Sequence, residues 1–86
     1  MSNAITPTIF QELCLPEDFQ QQNPHVFNSI GSLRWNIRQN RDEYRVLGAL
    51  VPIGRRVYIR PQRFAEAVVE ISARRAAERL NAKVAA

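Results

Sequence analysis

Hydrophobic positions repeat at helical spacing in four stretches of the chain and at strand spacing in one. Ile9, Phe10, Leu13 and Cys14 recur at offsets of one, three and four residues, which predicts one or two helical turns over Thr8–Cys14 covering the core. Leu15-Pro16-Glu17-Asp18 then reads as a helix start. Proline at the first helical position has no amide to waste, and two acids favour the positive end of the helix dipole. That helix runs to about Gln22 with Leu15 and Phe19 inward, and Pro24 ends it. A short connection follows, with Val26 or Phe27 plugging the corner and Asn28 or Ser29 able to cap the next helix. A short helix, a brief turn and a second helix form a helix-turn-helix candidate.

The second helix, Ile30–Gln39, buries Ile30, Leu33 and Ile37, which fall within about 60° of one another at helical spacing. Ser32, Asn36 and Gln39 lie opposite, Trp35 and Arg38 on one flank, and Arg34 and Arg41 near the stripe's edge. These are side chains that can read base edges and hold phosphates. Gly31 costs helix propensity, up to about 1 kcal/mol relative to alanine, but permits close approach to a backbone. Trp35 is expected to pack on the hairpin or core edge; stacking on a ligand is the other reading. The polar run from Asn40 to Gly48 reads as a connecting loop, its middle tucked in by Tyr44, Val46 and Leu47.

From Leu50 to Arg60 the period falls to two. Gly54-Arg55 suits a type II′ turn, in which glycine supplies the positive φ. The turn sets a register of Ile53 with Arg56, Pro52 with Val57, Val51 with Tyr58 and Leu50 with Ile59. Leu50, Pro52, Val57 and Ile59 then share an apolar face, and Pro52 falls in a non-hydrogen-bonded pair where its missing amide costs nothing. Gly54, Arg55 and Arg56 make the tip. From Pro61 the helical period returns, with Phe64, Ala67, Val68 and Ile71 inward and Pro61 again at the first position. After Ile71 the stripe thins to alanines and Leu80. The helix is therefore expected to run on towards Lys83, past the body of the domain, open to self-association or a partner. Met1–Pro7 reads as a frayed end.

The chain is thus mainly α with a small two-stranded antiparallel hairpin. At 86 residues it has room for one modest core. The expected organisation is an N-terminal extension over residues 1–14, a domain over 15–72 and a helical extension over 73–86. The single cysteine, Cys14, excludes an intramolecular disulfide and a cysteine-rich zinc site, and its apolar neighbours mark it as a small buried hydrophobe. No apolar run is long enough for a membrane span and no secretory leader is visible, so a soluble, cytoplasmic chain is expected.

Charge adds a direction to this pattern. Residues 1–33 hold three acids and no base, a net −3, whereas residues 34–63 hold eight arginines against Asp42 and Glu43, a net +6. Such a block attracts polyanions. Eleven of the twelve bases are arginine, the side chain suited to bidentate contact with phosphate or guanine. One histidine, one cysteine and no clustered carboxylates offer no nucleophile–base pair and no metal constellation, so neither an enzyme nor a cofactor is expected.

The run Gly31-Ser32-Leu33-Arg34-Trp35, a polar connector, Gly48-Ala49-Leu50-Val51-Pro52-Ile53-Gly54-Arg55-Arg56-Val57-Tyr58-Ile59 and a helix bearing Phe64 together resemble the excisionase-like (MerR-like) winged helix-turn-helix DNA-binding proteins of phages and mobile elements. The resemblance covers about Leu15 to Glu70. It implies a winged helix-turn-helix in which Ser29–Gln39 is the recognition helix and Gly54, Arg55 and Arg56 form the wing on the adjacent backbone or minor groove. The expected function is binding of double-stranded DNA, as an excisionase-type architectural factor or a small transcriptional regulator. Ser32, Asn36, Arg38 and Gln39 would read bases. Arg34, Arg41, Arg55 and Arg56 would hold phosphates, with Tyr58 and Arg60 in support. The alternative is a protein-interaction adaptor whose C-terminal helix recruits an integrase or another recombination or packaging protein, or forms a homodimer. RNA binding ranks behind both, because exposed aromatic pairs for stacking single-stranded bases are lacking.

Overall fold

The computed structural model describes residues 7–85, with side chains through Lys83. The elements are α1 (Thr8–Gln11), α2 (Pro16–Gln22), α3 (Ile30–Gln39), α4 (Arg41–Val46), β1 (Leu50–Ile53), β2 (Arg56–Ile59) and α5 (Pro61–Ala85). Two short helices joined by a turn, a small hairpin and a long closing helix surround one core. The frayed end expected over Met1–Pro7 lies outside the described residues save for Pro7, as does the last residue of the 73–86 extension.

Local chemistry sets most boundaries. Pro16 occupies the first turn of α2 with Glu17 and Asp18 beside it. Asn23 ends that helix: its side-chain amide donates to Phe19 O at 2.9 Å, and its carbonyl accepts from the amides of Val26 and Phe27, both at 3.1 Å. Gln20 Nε2 donates to Phe27 O at 2.9 Å, so the turn into α3 is held from both sides. Ser29 caps α3, its Oγ accepting from the Ser32 amide at 3.0 Å.

The hairpin adopts the expected register, Leu50 with Ile59 through Ile53 with Arg56. Gly54 has φ 61°, and no described non-glycine residue has positive φ, which is the pattern of a II′ turn and excludes I′. Leu50 and Ile59 are buried and Val57 half-buried, whereas Pro52, nearer the tip, stays exposed.

The core centres on Phe64, which is fully buried. Its ring meets Phe19 edge-on at 5.1 Å and Tyr44 at 4.6 Å, with Phe27 at 6.3 Å. Leu33, Ala49, Leu50, Ile59, Ala67 and Ile71 complete it. Arg60 N–H donates to Ala49 O at 3.0 Å and Phe64 N–H to Arg60 O at 2.8 Å, so the start of α5 is tied to the hairpin base.

Four expectations are corrected. The Asn40–Gly48 stretch is not a loop but contains α4. Gly48, at φ 72°, closes it: its amide bonds to Arg45 O at 3.1 Å and the Ala49 amide to Tyr44 O at 2.8 Å, the paired bonds of a Schellman end. Of the three residues expected to tuck in, only Tyr44 does; Val46 is 85% exposed and Leu47 also faces out. The helix at Thr8 is a single turn that covers no core, with Ile9 and Phe10 more than half exposed. Cys14 lies in no helix. It forms an isolated antiparallel bridge with Ile59, donating at 2.9 Å and accepting at 2.7 Å, which joins the last residue of the expected N-terminal extension to the outer edge of β2. Its half-buried thiol is raised above its ordinary pKa by desolvation and then by Asp18.

Beyond Ile71, α5 leaves the core. Every described residue from Ser72 to Lys83 is exposed, and the molecule is drawn out to 67 × 25 × 21 Å. Glu43 steadies the exit, paired with Arg74 and, at 4.0 Å, with Arg75. No helix among the described residues is long and apolar enough to cross a membrane.

Candidate nucleic-acid interface

The outward side of α3 carries Ser32, Arg34, Trp35, Arg38 and Gln39, all exposed, and the helix contains no acid. Asn36 differs from its expected place opposite the buried stripe. It is half-buried, and its Oδ1 accepts a hydrogen bond from the Tyr44 hydroxyl. Its backbone carbonyl accepts from Asn40 Nδ2 at 3.0 Å. The side chain thus provides a partner for a buried phenol, with Nδ2 as its remaining polar group. Tyr44 is accordingly a very weak acid, pushed up to about 12 by desolvation and then by Glu43, with Arg75 opposing.

Beside α3 the surface dips into a concavity of about 210 Å³. Ile37, Leu50 and Val57 line it together with four arginines, Arg34 and Arg38 from α3 and Arg41 and Arg45 from α4. Arg41 and Arg45 are one helical turn apart, on the same face of α4. The adjoining depression brings Arg34 together with Arg56 of β2. An arginine-rich surface therefore runs from α4 across α3 to the hairpin, with Glu17 as the acid between Arg34 and Arg56, and the hairpin tip exposes Gly54, Arg55 and Arg56.

These charges are largely unspent. Arg34 pairs with Glu17 at 2.5 Å, both side chains about half exposed, a geometry worth little in water. Arg38, Arg41, Arg45, Arg55 and Arg56 make no ion pair among the described residues, and Glu43, close to Arg41 in sequence, is drawn to Arg74 and Arg75. Two expected supporting residues stand apart. Tyr58 is half-buried on the strand face opposite Val57, which lines the concavity. Arg60 sits at the hairpin base among Glu12, Pro61, Gln62 and Arg63, with its Nε buried and unpartnered.

One residue of the basic surface escaped the sequence reading. Arg45 joins the basic concavity, which its placement in a loop concealed; its spacing from Arg41 was the available signal. Trp35, for which the sequence leaves packing on the hairpin or core edge and stacking on a ligand as the two readings, is 60% exposed. Elsewhere, a small apolar depression of about 100 Å³ lies between the turn after α2 and α5. No group of three or more His, Cys, Asp or Glu residues that could hold a metal occurs among the described residues. Compared with known proteins, the chain matches no family model, no curated protein and no solved structure.

Proposed function

We propose that this chain binds double-stranded DNA as a winged helix-turn-helix protein of the excisionase type, an architectural factor or small transcriptional regulator. The observation that carries the reading is the run of arginines without ion-pair partners, Arg38, Arg41 and Arg45 around the concavity and Arg55 and Arg56 on the hairpin, beside a helix face free of acids. A polyanion neutralises such a surface and gains by counterion release. In this reading α3 enters the major groove while the hairpin, as the wing, lies on the neighbouring backbone or minor groove. Arg34, Arg41, Arg45, Arg55 and Arg56 hold phosphates. Ser32, Arg38 and Gln39 address base edges, and Asn36 contributes through its Nδ2 alone. Tyr58 and Arg60 support the wing from its far face and base. Replacing Arg55 and Arg56 together by Ala weakens binding to every duplex sequence alike, whereas Gln39→Ala chiefly relaxes sequence preference. A double variant that binds duplex DNA as tightly as the parent removes the wing from the interface.

The exposed half of α5 favours a second, compatible reading as an adaptor. Its described residues from Ser72 to Lys83 are all exposed and touch the domain through the pairing of Arg74 and Arg75 with Glu43, so the remainder is open to an integrase, another recombination or packaging protein, or a second copy. Truncation before residue 73 abolishes partner capture while leaving DNA affinity intact if that helix is only an adaptor. A truncation that captures the partner as well as the full chain does excludes the role.

A further inference from the structure

Trp35 is the chain's one tryptophan, and it is left in water while Phe19, Phe27, Tyr44 and Phe64 fill the core. Side chains on a helix lean towards its N-terminus, and the turn before Trp35 offers only Gly31 and Ser32, which are too small to cover an indole. A Cβ added at Gly31 would meet only Ser29 Oγ, at 3.8 Å, which shows how open that flank is. One turn further on stand Arg38 and Gln39, both exposed.

Charge identifies what can cover this ring. An apolar protein surface seated on Trp35 would face Arg38, which has no ion-pair partner among the described residues, and Arg34, which has only the half-exposed Glu17. The occupant must be anionic overall and still present an apolar point between hydrogen-bonding groups. The major groove of duplex DNA does so at the C5-methyl group of thymine. Ser32 and Gln39 lie about 10 Å apart along the axis, roughly three base-pair steps, with Trp35 between them.

We propose that Trp35 is the apolar reader of α3, seated against a thymine methyl group, so that the preferred site carries an A·T pair between the positions addressed by Ser32 and Gln39. The inference rests on the DNA-binding reading above and adds the base class recognised.

The test compares the full-length chain with Trp35→Ala on a short mixed-sequence duplex and on the same duplex with every thymine replaced by deoxyuridine, which removes only the methyl groups. Binding is read by fluorescence anisotropy of the labelled duplex, and folding by circular dichroism. The parent is expected to prefer the thymine duplex roughly fourfold, the effect of burying one methyl group, and Trp35→Ala to show no preference. Emission of Trp35 in the parent gives a readout that needs no variant, shifting to shorter wavelength when the thymine duplex saturates the protein. Equal affinity of the parent for both duplexes, an unaltered preference in Trp35→Ala, or unchanged emission in the saturated complex overturns the inference while leaving DNA binding standing. Failure to bind either duplex removes both. An emission shift produced by phosphatidylglycerol vesicles but not by duplex assigns the ring to a membrane surface instead and likewise overturns it.

Discussion

Tyr44→Phe separates the hydrogen bond between α4 and α3 from the packing around it. The substitution keeps the ring against Phe64 and removes the hydroxyl that donates to Asn36 Oδ1. At neutral pH the loss is that of one intramolecular hydrogen bond, about 1 kcal/mol, because the half-buried Asn36 can recruit water. Alkaline pH adds a larger and distinctive effect. A phenol whose pKa rises from about 10 in the unfolded chain to about 12 in the fold contributes stability that is fully present below pH 10 and is lost as pH rises towards 12. Between pH 9 and pH 11 the parent therefore sheds about 1 kcal/mol that Tyr44→Phe does not. Cys14, also raised by burial, titrates in both proteins and cancels in the difference. Urea unfolding of both proteins at the two pH values measures it. Parallel stability–pH curves would refute the burial and bonding assigned to Tyr44.

Other substitutions probe the frame on which the basic surface rests. Phe64→Ala is expected to cost about 3–5 kcal/mol, since three aromatic rings lose their shared partner. That is a large share of the roughly 4–13 kcal/mol available to a domain of this length, and a thermal melt reads it directly. The glycines should differ in sign. Gly31→Ala adds a helix former in open space and should stabilise by about 0.5–1 kcal/mol. Gly48→Ala should destabilise by about 1–2 kcal/mol, because φ 72° is left-handed and the new Cβ would sit 3.2 Å from Arg63 Nη1. Paired urea titrations of the two variants check the contrast.

The elements legible in the sequence were those announced by short-range chemistry. Pro16 and Pro61 mark helix starts, the Asn28-Ser29 pair holds the cap that the structure assigns to Ser29, and the Gly54-Arg55 pair fixes the hairpin register by itself. The α4 helix was hidden because one inward residue, Tyr44, anchors it and no stripe repeats across six residues. Its signals were at the ends: Asp42 and Glu43 in the first turn, Arg45 in the last, and Gly48 beyond it. Missing that helix also concealed Arg45 as a fourth arginine of the concavity. Asn36 was legible as polar but not as tied to Tyr44, since that bond joins two helices. The bridge of Cys14 to Ile59 was beyond periodicity for the same reason, being a pairing of residues far apart in the chain. Trp35 has two readings in the sequence, packing at the hairpin or stacking on a ligand, and its 60% exposure is set by neighbours that periodicity does not name.

The central claim is that the arginines of this surface, all but Arg34 without an ion-pair partner among the described residues, bind the phosphates of duplex DNA. Its most direct test is anisotropy of a random-sequence duplex titrated with the protein between 50 and 200 mM salt. Five phosphate contacts, from Arg34, Arg41, Arg45, Arg55 and Arg56, give a log–log slope of about −4.5 and an affinity loss of roughly 500-fold across that range. Arg41→Ala with Arg45→Ala should flatten the slope by about 1.8. A duplex that fails to bind at low salt, or binds with an affinity indifferent to salt, contradicts the claim.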